Sequence, residues 1–79
     1  MSEVERWSEV VAKELGITSE VDVTAILELT KDVDHGVVRP AAPIAAYLLG
    51  LVAGADPVEK AAAEATIRRL AQEWVPQEL

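Results

Sequence analysis

The chain has 79 residues and a mass of 8.5 kDa, which limits it to one domain. Its 14 acidic and 7 basic side chains give a net charge of −7, which argues against a nucleic-acid footprint and against an anionic-membrane helix, since both need Lys and Arg. Cysteine is absent, so disulfide, zinc–thiolate, iron–sulfur and thiol chemistry are excluded.

Area scaling predicts roughly 12,000 Å² for the unfolded chain and roughly 4,700 Å² for the folded one, so about 60% is buried. That margin is thin for a lone domain, and a partner or a second copy would add to it. The acidic start, Met1 to Glu5, has neither the basic nor the apolar region of a secretory leader. A cytoplasmic location is expected.

The first helix is predicted over 3–15. Ser2 and Glu5 form a capping box, and Val4, Trp7, Val11 and Leu15 recur at helical spacing. Gly16 supplies the stop, and Glu9 and Lys13 lie one turn apart outside. The second is predicted over 23–36, capped by Asp22, with an inner stripe of Val23, Ile26, Leu27, Thr30, Val33 and Val37.

The third, predicted over 43–53, opens with Pro43 in its first turn. Ile44, Tyr47, Leu48, Leu51 and Val52 are its expected inner face. Its other sides are apolar too, and three neighbours can hardly cover them, so Ala45, Leu49 and Ala53 are the expected interface. Gly54 reads as its stop. The uncharged run Pro40–Ala55 falls short of the roughly 18–20 residues that span a bilayer.

The fourth, predicted over 57–75, starts at Asp56-Pro57 and ends at Pro76. Its inner stripe is Ala63, Ile67, Leu70, Ala71 and Trp74, with Glu64 and Arg68 paired outside. No stretch alternates as a strand would. Short connections between four helices predict an all-α, antiparallel four-helix bundle over 1–79. Trp7 and Trp74 are expected in its core, and thirteen alanines favour close helix contacts.

The densest polar cluster runs from Lys31 to Pro43. On a helix Glu28, Asp32, His35 and Arg39 share a narrow sector, one turn apart. One reading is a solvated face with Asp32 paired to Arg39 or His35. Another is a docking patch in which His35 and Arg39, beside Pro40 and Pro43, meet a partner or an anionic group, since Arg is the preferred fork for carboxylate and phosphate. A metal site would need more than one His with Asp32 and Asp34, and an acid–base pair from His35 and Asp32 has no accompanying nucleophile. No catalytic or metal-ligating set is therefore expected. By helical phase Asp34 falls on the inner stripe, where it needs a cap or a cationic partner.

The run Asp32-Val33-Asp34-His35-Gly36-Val37-Val38-Arg39-Pro40-Ala41-Ala42-Pro43, followed by Tyr47-Leu48-Leu49-Gly50-Leu51-Val52-Ala53-Gly54, resembles a family of small bacterial domains from GC-rich genomes. The likeness covers nearly the whole chain and includes a tryptophan near each end. Asp34 stands where that family usually has alanine. Its members occur alone or joined to molybdenum cofactor guanylyltransferase, and tend to be encoded beside molybdenum-dependent formate dehydrogenase and its sulfur-insertion chaperone. The resemblance implies a non-catalytic accessory protein or small subunit of a molybdenum enzyme, or of its maturation machinery. In that case the chain binds no cofactor alone, and molybdopterin enters through the partner. Two rivals remain: a part in molybdopterin-guanine dinucleotide biosynthesis, with His35 and Arg39 on a phosphate, and a self-associating helical domain.

Overall fold

The computed structural model describes residues 2–75. Four α-helices form an all-α bundle: α1 (Glu3–Glu14), α2 (Val23–Gly36), α3 (Ala41–Ala55) and α4 (Lys60–Glu73). No strand occurs among the described residues. A 3₁₀ turn, Pro57–Glu59, leads into α4, so the single helix expected over 57–75 is a tighter entry turn followed by an α-helix that ends at Glu73. The expected stop at Pro76 lies outside the described residues.

Local chemistry explains the ends. The Ser2 hydroxyl accepts from the Glu5 amide at 3.2 Å. Asp22 accepts from the Ala25 amide at 3.0 Å, and Asp56 from the Val58 amide at 3.1 Å. Each satisfies an amide that the first helical turn leaves without a carbonyl. After α1, Gly16 adopts φ 71°, the left-handed conformation that a β-carbon disfavours. The Gly16 amide donates to the Lys13 carbonyl and that of Ile17 to the Ala12 carbonyl, which together make a Schellman cap. Gly54 is no stop: α3 runs through it to Ala55 and ends where Asp56 turns extended.

Helix α2 is central, touching α1, α3 and α4. Leu29 is its fully buried residue, and Val33, Ala45 and Ala71 make a cluster with Val37, Ala41 and Ile67 packed around it. The inner face of α2 is therefore rotated from the expected stripe. Leu27, expected inside, is exposed, and Leu29 takes the centre. Gly36 shows why. A β-carbon there would sit 2.6 Å from the Ala71 carbonyl oxygen, so α4 crosses α2 at backbone contact, and the core gathers on the Leu29–Val33–Gly36 side. Asp34 lies off this side and is half-buried, so the buried-carboxylate problem expected for it does not arise.

Helix α3 is turned the other way round from expectation. Ala45 and Leu49, predicted to form an interface, are buried in the chain's own core, Leu49 with 4% of its surface exposed. Ala53 is half-buried. The expected inner residues Ile44, Tyr47, Leu48, Leu51 and Val52 face solvent. The alanine-lined side lets α3 approach α2 closely, which leaves the bulky side chains outside a fold that has no further layer to cover them.

Both tryptophans also depart from expectation: Trp7 is 69% and Trp74 53% exposed. Among the described elements helix α1 contacts only α2, and it contributes no buried residue. The consequence is global. The chain exposes 6371 Å², about 1,700 Å² more than scaling gives for its mass. Its radius of gyration is 13.7 Å, against about 11.6 Å for a compact domain of this length.

Candidate docking surface

The polar ladder does not assemble as a helical sector. Glu28, Asp32 and His35 lie on the exposed side of α2, but the helix ends at Gly36. Val37, at φ −119° and ψ −86°, breaks the phase, so Arg39 sits in the turn to α3 rather than one helical turn beyond His35. Asp32 pairs with neither Arg39 nor His35. Its Oδ2 accepts from Arg68 Nε of α4 at 3.2 Å, which also corrects the expected Glu64–Arg68 pair. Glu64 meets Lys60 instead, at 3.6 Å. At this exposure the Asp32–Arg68 bridge is worth about 0–1 kcal/mol.

Arg39, like Lys13 and Lys31, makes no ion pair among the described residues, and it is the one arginine of the four in that position. It is exposed and flanked by exposed Pro40. Two turn bonds lead from here into α3, Ala41 amide to Val38 carbonyl at 3.0 Å and Ala42 amide to Arg39 carbonyl at 3.1 Å. Pro40 caps α3 and Pro43 lies in its first turn, where an absent amide hydrogen costs nothing. The guanidinium thus leaves a stiffened turn, ready for a carboxylate or phosphate.

At 100° per residue, Pro40, Pro43, Tyr47 and Leu51 fall along one side of α3, away from the Ala45–Leu49 core side. All four are exposed. Together with Arg39 they form an apolar strip with a cation at one end. On the other flank of α3 an apolar groove of about 540 Å³ opens towards α4, lined by Val37, Ile44, Leu48, Ile67, Leu70 and Trp74 among others. A second hollow, sharing Leu48 and Ile67, continues it along the seam to Val52.

Among the described residues no three His, Asp or Glu side chains converge as a metal-binding group. None of the described helices is long and apolar enough to cross a membrane.

The chain belongs to the family described as a domain of unknown function, DUF6457, whose model matches residues 1–78. No curated protein and no solved structure matches it. The family description names no cofactor, partner or reaction.

Sequence reasoning missed Tyr47 and Leu51 as surface residues, and missed Leu29 as the core. The readable signal for α3 was size. In a helix apolar on all sides, the alanine-rich side is the one that can sit closest to a neighbour.

Proposed function

We propose that the chain is a non-catalytic docking protein whose partner seats on the Arg39–Pro43 turn and the outward strip of α3. The observation that carries this is the strip itself: Tyr47 and Leu51 stand in solvent on the helix that follows Arg39, which is exposed and has no ion pair among the described residues, on a chain with far more exposed surface than its mass requires. Large aromatics and arginine are the residue types that anchor interfaces. His35 and Glu28 are exposed on α2, His35 one residue before that helix ends ahead of the turn.

The resemblance carried by the Asp32–Pro43 and Tyr47–Gly54 segments supports a particular partner: a molybdenum-cofactor enzyme, with formate dehydrogenase first, or its maturation machinery. On this reading molybdopterin is held by the partner, and the chain acts in the cytoplasm by positioning or protecting that enzyme.

The test is affinity capture with the tagged full chain from cells making a molybdenum-dependent formate dehydrogenase, followed by mass spectrometry and molybdenum analysis. Co-purification of the enzyme with molybdenum is expected, and Arg39→Ala or Tyr47→Asp should reduce recovery at least about 10-fold, as loss of an anchor residue does. Recovery unchanged in both variants removes the proposed surface. Binding of a guanine nucleotide that Arg39→Ala abolishes would replace this reading with a biosynthetic one.

A further inference from the structure

We propose that the α3–α4 groove receives helix α1 of a second copy of the chain, reciprocally, so that two copies form a symmetric dimer. This goes beyond the docking reading and uses different surfaces: the groove flank of α3 rather than its outward strip.

Three observations lead there. The first is area. The surplus of about 1,700 Å² per chain lies within the roughly 1,000–2,500 Å² that each subunit of an obligate homodimer buries. The second is helix α1. Its half-buried residues are Glu5, Ser8, Val11 and Ala12, so it rests on α2 by the edge of its apolar stripe rather than by the stripe. Val4, Trp7 and Leu15 stand in solvent. A helix whose sequence specifies one apolar face, yet which covers only Val11 of it and leaves Val4, Trp7 and Leu15 in solvent, lacks a partner for the rest of that face.

The third is fit. The 12 residues of α1 span about 18 Å, and the groove along α3 from Ala41 to Val52 spans about 16 Å. The groove is open and mostly apolar, with Glu59 and Thr66 at its Val52 end, and the stripe is convex and apolar, which is the helix-in-groove mode of recognition. Helix α1 touches neither α3 nor α4 of its own chain. A two-fold axis makes the contact twice, so one operation covers both open surfaces.

The test uses the full chain. Sedimentation equilibrium should give twice the 8.5 kDa of the chain. Tryptophan emission should move to shorter wavelength as concentration rises, because Trp7 and Trp74 both leave solvent. Trp7→Glu and Leu48→Glu, at exposed positions, should each raise the dissociation constant at least ~30-fold with helical circular dichroism retained. Mixing those two variants should partly restore a heterodimer, since one of its two contacts joins unaltered surfaces. Tyr47→Asp should leave the dimer intact.

A chain that remains monomeric up to about 1 mM overturns the proposal. So does a dimer indifferent to Trp7→Glu, or a mixture that pairs no better than either variant alone, since both place the interface elsewhere. If Trp7→Glu unfolds a monomeric chain, α1 packs within its own fold and the proposal fails.

Discussion

Gly36→Ala should destabilise the bundle although it replaces glycine by the best helix former. An added β-carbon would stand 2.6 Å from the Ala71 carbonyl oxygen and 3.1 Å from its carbonyl carbon. Neither is the end of a flexible side chain. Both belong to the backbone of α4, at a residue that is itself buried against Val33 and Ala45. Ordinary contact begins near 3.4 Å, so α4 must withdraw from α2 by about 0.8 Å. A gap of about 0.5–1 Å removes a quarter to a half of each dispersion contact along the seam, and overpacking of this kind costs about 1–3 kcal/mol. Against it stands a propensity gain of about 0.5–1 kcal/mol, reduced here because Gly36 is the last residue of its helix. The net loss of about 1–2 kcal/mol should lower Tm by roughly 4–16 °C for a domain of this size. Thermal unfolding followed by circular dichroism at 222 nm measures it. An unchanged or raised Tm would refute the close α2–α4 crossing.

Two further substitutions probe the placement of α3. Gly50→Ala should stabilise the chain by about 0.5–1 kcal/mol, because Gly50 is inside a helix and its β-carbon would enter open space; a fall in Tm would mean that something already covers that side. Leu49→Asp should leave the chain largely unfolded, since a carboxylate without a partner would replace a side chain 4% exposed, whereas Leu51→Asp should keep native helical dichroism. The reverse ranking would show α3 turned as its sequence first suggests.

The helix ends were legible because they rest on short-range chemistry. Ser2, Asp22 and Asp56 each reach an amide two or three residues on, and Gly16 is the single residue with positive φ among those described. Such contacts need no knowledge of what lies opposite. Which side of each helix faces inward was legible only in part, because that depends on the neighbours. In α4, Ala63, Ile67 and Ala71 turn inward as their spacing predicts, but Leu70 and Trp74 on the same stripe remain exposed. In α2 the error traces to a glycine. A pattern of apolar side chains gives no weight to Gly36, yet the side where a side chain is missing is the side that α4 approaches, and the buried Leu29 and Val33 share that side of the helix.

The ladder from Glu28 to Arg39 failed for a related reason. It assumed helical phase through Val37, while two prolines at the entry of α3 require the chain to turn before it can start again. The break separates Arg39 from the charges that would have neutralised it and leaves Asp32 to Arg68. What looked like an internal ion-pair row is thus a bridge between α2 and α4 and, apart from it, an arginine at the head of an apolar strip that makes no ion pair among the described residues. That separation supports a docking role better than the intact ladder would have. A guanidinium already paired to Asp32 must lose that bond before it can bind anything else, whereas one held on a proline turn loses only its hydration.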